Sequence, residues 1–143
     1  MCLVHIKDVT TNPCYMYKVF PVNIDGEPEF LYWSTMRPVR FNGVVDLASY
    51  ALVAAYSYTV ENEEKVVRGY HGFFDLPTAR NYINRIRRVR TFVNYNSFMV
   101  VKFTVPSDAK CQEGEIKLSQ DVLSAFTATY LINPVIVSQV SFD

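Results

Sequence analysis

Short apolar and aromatic runs alternate with polar punctuation along the whole chain. Residues 2–7 (CLVHIK) form a β-prone run that Thr10-Thr11-Asn12-Pro13 ends, because proline fixes its own φ and restricts the residue before it. Residues 14–22 (CYMYKVFPV) are rich in β-branched and aromatic types. Asn23-Ile24-Asp25-Gly26 then supplies a turn, and Phe30-Leu31-Tyr32-Trp33 reads as the returning strand of a hairpin over 14–33. Residues 34–43, with Pro38 and Gly43, read as a loop or an irregular strand. The alanines and leucines of 44–56 favour a short helix, followed by a strand from about Ser57.

Residues 65–74 (KVVRGYHGFF) resume strand character. Asp75 is placed to cap a helix that Pro77 suits in its first turn. Over 78–90, Ala79, Tyr82, Ile83, Ile86 and Val89 recur at helical spacing, with Arg80, Asn84, Arg87 and Arg88 opposite. The clearest strand is 97–105 (SFMVVKFTV), ended by Pro106-Ser107-Asp108. Residues 119–125 predict a short helix capped by Ser119, and Thr127–Phe142 one or two strands broken at Asn133-Pro134. Helices scattered among hairpin-linked strands predict an α+β fold: a mixed, mainly antiparallel sheet with two or three helices packed on it.

Composition narrows the class. A chain of 143 residues, half of them hydrophobic and 20% charged, fits a single globular domain spanning 1–143. Lys+Arg and Asp+Glu stand at 14 each, so the net charge is zero and a general coat for long nucleic acid is not expected. Zero net charge gives little protection against self-association, which makes a homo-oligomer the expectation. Cys2, Cys14 and Cys111 are odd in number and form no CxxC pair, which points to a reduced, cytoplasmic setting and away from a zinc centre. No apolar run reaches the roughly 18 residues that span a bilayer, and no signal peptide opens the chain.

Candidate chemistry lies in two places. Arg80, Arg85, Arg87, Arg88 and Arg90, with Arg68 upstream, offer guanidinium forks for phosphate or carboxylate. Tyr70, Phe73, Phe74, Tyr82, Phe92 and Tyr95 lie between and beside them, as a flat, phosphorylated ligand requires. The same arginines also serve a merely solvated helix face. His71 sits between Gly69 and Gly72 at a strand end, where backbone can approach a ligand and an imidazole can act as acid, base or donor. A plain structural histidine bonded to a carbonyl is the alternative. His5 reads as structural, and Glu113-Gly114-Glu115 as acidic groups on a loop. No phosphate-binding glycine loop, nucleophile elbow or metal-ligand spacing occurs.

Several segments carry a resemblance. Met1-Cys2-Leu3-Val4, Tyr17-Lys18-Val19-Phe20, Gly69-Tyr70-His71-Gly72-Phe73 with Ala79 and Tyr82, Val100 to Pro106, and Gly114 follow one another. In that order they are similar to a group of small proteins of phages and mobile elements. The layout also resembles a degenerate ADP-ribosyltransferase-like fold, with Tyr17-Lys18 on the first strand and His71-Gly72-Phe73 on the second. Lys18 stands where that family has arginine, the Ser-Thr-Ser triplet is absent, and Glu115 matches the family glutamate only loosely. Small phage proteins include oligomeric sponges that sequester nucleotide immune signals in pockets lined by arginine and aromatic residues.

The expectation is therefore a non-enzymatic, oligomeric binder of a small nucleotide-like ligand, with no cofactor. His71, Tyr70, Arg68, Arg80 and Arg87 are the expected contacts, with Lys18 an outlying choice. Alternatives are an enzyme acting on NAD or a cyclic nucleotide through His71 and Glu115, and a protein–protein inhibitor using its tyrosine-rich surface.

Overall fold

Alternate side chains of single strands enter two different apolar clusters. Met16, Phe20 and Val22 of one strand join the first cluster, while Val19 and the half-buried Tyr17 join the second. The next long strand divides in the same way, Met99, Val101 and Phe103 against Phe98 and Val100. Side chains alternate between the two faces of a sheet, so both faces are covered here. That explains why SFMVVKFTV is apolar almost without interruption. Phe20, Phe98, Phe103 and Phe126 are fully buried, and each such side chain contributes about 1.5–3 kcal/mol through burial.

The computed structural model describes residues 4–26, 28–30, 37–38, 57–59, 65–67, 70–88, 95–118, 121–129 and 131–142. In chain order they form β1 (Val4–Asp8), β2 (Tyr15–Val22), β3 (Glu29–Phe30), β4 (Arg37–Pro38), β5 (Ser57–Thr59) and β6 (Lys65–Val67). These are followed by β7 (Tyr70–Gly72), α1 (Leu76–Ile86), β8 (Ser97–Thr104), β9 (Cys111–Leu118), β10 (Asp121–Ala128) and β11 (Ile132–Ser141). Two antiparallel sheets dominate, ordered β1-β9-β10-β7 and β11-β8-β2. One backbone exchange joins them: Tyr17 and Phe73 donate to each other's carbonyls at 2.9 and 2.8 Å. β3 pairs with β4, and β5 with β6, as two small ribbons.

α1 lies on the second cluster through Ala79, Tyr82, Ile83 and Ile86, all buried. Its start follows the expected chemistry: Asp75 accepts from the Thr78 amide at 2.7 Å, and Pro77 sits in the first turn. The ring of Phe73 lies 4.9 Å from that of Tyr82 and pins the helix over the junction of the two sheets.

The α+β expectation is corrected: the described residues form a mainly antiparallel β structure with one helix. The helix expected over 119–125 is strand. Residues from Asp121 onward pair with β9 in unbroken register from Asp121–Leu118 to Ala128–Cys111. There Val122 and Ser124 stay exposed while Leu123 and Ala125 turn inward, a period of two that a cap-like serine had masked. The helix expected over 44–56 lies outside the described residues. The run 65–74 is not one strand, since β6 pairs with β5 while β7 pairs with β10. The Asn23–Gly26 turn forms as expected, with the Gly26 amide on the Asn23 carbonyl at 3.0 Å and Gly26 at φ 79°.

Asn133-Pro134 does not end a strand. β11 runs through it with shifted register, Asn133 taking φ 52°. β1, at the far edge of the other sheet, has the same device: register shifts between Val4 and Lys7, and His5 takes φ 53°. Bulges, a proline and charged residues on the two outermost strands are means of discouraging edge-to-edge pairing.

Candidate functional site

The expected site residues fall into two groups. Lys18, His71 and Tyr70 lie where the sheets meet. Lys18 donates from Nζ to the main-chain oxygen of His71 at 2.9 Å. Taken over the whole side chain Lys18 is only part-buried, but its ammonium end is enclosed, and burial lowers its pKa to about 8. Tyr70 is packed against the first cluster with Phe74. His71 pairs with Thr127 of β10, and Thr127 in turn pairs with Gln112 of β9, which pairs with Asp8 of β1. The four form a polar row across the sheet. Thr127 is fully buried and Gln112 is 8% exposed; the Gln112 amide donates to Asp8 Oδ1 at 3.2 Å.

Arg80 and Arg87 form the second group. Seven residues apart, they share one flank of α1, about 10 Å apart along the axis. Both reach β11. Arg80 Nη2 donates to Ser138 Oγ at 3.3 Å, and the Arg87 guanidinium lies 4.2 Å from the centre of the Phe142 ring. Neither has a carboxylate partner among the described residues. Arg85 lies on the other flank, paired with Asp121 at 2.9 Å. Arg68 and Arg90 lie outside the described residues.

Two residues on the same face were missed by sequence reasoning. Lys102 pairs with Tyr17 on β2 and with Val135 on β11. Its Nζ stands 3.9 Å from the centre of the Tyr15 ring and 6.0 Å from that of Tyr17. Tyr15 is 45% exposed and Val135 56%. The alternation Tyr15, Tyr17, Val19 was the available signal; the lysine inside an apolar strand was its counterpart. Ser138 pairs with Val100, so Arg80 meets β11 two residues along β8 from Lys102, about 7 Å away along the strand. Lys102, Arg80 and Arg87 thus follow β11 in sequence along the helix-bearing side.

The acid–base pair expected of His71 and Glu115 is not formed. Glu113 and Glu115 lie within β9 rather than on a loop, and Lys7 binds Glu113 at 3.1 Å. Glu115 is three residues from Gln112, the position in line with His71, and by alternation its side chain leaves the opposite face. Its partner is His5, whose Nδ1 lies 3.2 Å from Oε2 on the exposed edge. Burial pushes the Cys111 thiol up to about 11, which suits a packing role. No group of three or more His, Cys, Asp or Glu side chains able to hold a metal occurs among the described residues. No helix among them is long and apolar enough to cross a membrane.

No protein-family model, curated protein or solved structure matches the chain.

Proposed function

We propose that the protein is a non-enzymatic binder that sequesters a small phosphorylated, nucleotide-like ligand, with Arg80 and Arg87 as its anion contacts. The observation that carries this reading is the placement of two arginines on one helix flank, one steadied by Ser138 of β11 and the other by Phe142 just past it, and neither neutralised by a carboxylate among the described residues. A guanidinium held by a ring on one side still offers its fork to phosphate. Their spacing suits a ligand with more than one anionic group better than a single phosphate. Lys18 and Tyr70 leave the proposed contact set, since one bonds backbone and the other packs into core. A phage-encoded sponge for a nucleotide signal belongs to this reading.

The test is equilibrium dialysis against a panel of linear and cyclic nucleotides. Arg80→Ala and Arg87→Ala should each weaken binding about tenfold, the value of one charge-assisted bond. Parent-like affinity in both variants for every ligand that binds would remove the site.

A further inference from the structure

Resting on that reading, we infer that a second copy of this chain pairs with β11, antiparallel and edge to edge, and completes the anion site by setting its Arg87 beside Arg80. β11 ends its sheet and, among the described residues, pairs on one side only, with β8. Its irregularities, Asn133-Pro134 and the two register shifts, lie before Ser138. From Ser138 to Ser141 it matches β8 residue for residue and carries no charge, unlike β1 with Lys7 and Asp8. A regular, uncharged edge is a template for another strand.

The ladder fixes which groups face out. The Phe142 amide donates to the Asn96 oxygen at 2.6 Å, so Val140 and Ser138, two and four residues back, also turn their main chain to β8. Gln139 and Ser141 turn theirs outward, and both are exposed. Two such edges use all of these groups when Gln139 faces the partner's Ser141, with a two-fold axis at Val140. Ser138 then stands opposite the partner's Phe142, Cα atoms about 4.5 Å apart and side chains on one face. Arg80 bonds Ser138 and Arg87 lies on Phe142, so each row brings Arg80 of one copy to Arg87 of the other. The two rows lie four residues apart, about 13 Å along the strand. α1 packs chiefly on β2, β8 and β10, inward of this edge. Neither arginine has a carboxylate partner among the described residues, so their charges oppose pairing until an anion bridges them. Pairing and anion binding therefore strengthen each other by the same factor.

Sedimentation velocity of the full chain over a concentration series, with and without inorganic pyrophosphate, tests this. The parent should show a monomer–dimer equilibrium whose dissociation constant falls at least about tenfold with pyrophosphate. Gln139→Pro removes one outward amide and no bond to β8, so it should fold, stay monomeric and bind pyrophosphate about tenfold more weakly. Gln139→Lys, which sets like charges across the axis, should do the same without a backbone change. A dimer that persists in both variants lies on another surface, and the inference fails. A parent that stays monomeric with and without pyrophosphate also overturns it, while nucleotide binding that still depends on Arg80 and Arg87 leaves the binder reading standing. A β11 dimer indifferent to pyrophosphate refutes the shared site. If the coupling appears but no nucleotide binds, the shared anion site stands and the nucleotide reading falls.

Discussion

Lys18 Nζ stands 2.9 Å from the main-chain oxygen of His71, the place where a continuing ladder would put the amide of Val19. Tyr17 and Phe73 exchange both backbone bonds, so the next hydrogen-bonded pair in an antiparallel ladder would be Val19 with His71. The ladder stops after one exchange. A side-chain ammonium supplies the missing donor, and the two sheets part there.

The position of Lys18 gives its stability contribution a definite pH dependence. Its folded pKa, about 8, lies below the ordinary lysine value of 10.5 because burial disfavours the charged form. Below pH 8 both states carry the proton and the cost of enclosing the charge is complete. Between the two values the unfolded state binds more protons, so stability rises with pH, by at most about 1.4 kcal/mol per unit. Compared with Lys18→Met, the parent should gain melting temperature from pH 7.5 to 10. A constant difference across that range would show an ammonium that is not enclosed.

Gly72 is constrained by Met16. A Cβ on Gly72 would overlap Met16 Cγ, come within 2.6 Å of its Sδ and within 3.1 Å of the Tyr17 oxygen. Met16 is fully buried and has little room to retreat. Gly72→Ala should cost about 1–3 kcal/mol by overpacking. Chemical denaturation of Gly72→Ala in a Met16→Ala background should show a smaller cost than in the parent. Equal costs in both backgrounds would mean that the two do not meet.

Asp75 holds the first turn of α1 through the Thr78 amide at 2.7 Å. Asp75→Ala should destabilise the fold by about 0.5–2 kcal/mol, and Asp75→Asn by less. Urea titrations of the three proteins decide this.

Cys14 is exposed and Cys111 buried, with the thiol of Cys111 pushed up to about 11. Alkylation of the folded protein at pH 8 should modify Cys14 and spare Cys111 until denaturant is added. Peptide mapping that finds both modified at equal rates under native conditions would place Cys111 at the surface.

Legibility in the sequence followed locality. The Asp75 cap, the apolar stripe Ala79–Tyr82–Ile83–Ile86 and the strand through Phe98–Phe103 depend on neighbours in the chain, and they form as read. Residues 121–125 did not, because a serine and an aspartate looked like a cap while pairing with β9 decided the outcome. Likewise Pro134 looked like a break, yet on an edge strand its missing N–H is tolerated and becomes part of a bulge. Within the candidate site, Arg80 and Arg87 were legible from the helical period. Lys102 and Tyr15 were not, because their meeting depends on the β2–β8 register, which couples positions far apart in the chain. Lys18 was readable as a polar interruption, but its bond to the backbone of His71 arises only where two sheets diverge.

The central claim, sequestration without turnover, is tested most directly by depletion and release. The protein is incubated with nucleotide signals and removed by filtration, and free ligand is quantified before and after the protein is heated. The account predicts that one ligand disappears and returns chemically unchanged on heating, and that the Arg80→Ala, Arg87→Ala double variant fails to deplete it. Return of the ligand as a different compound, or no depletion of any ligand, would contradict it.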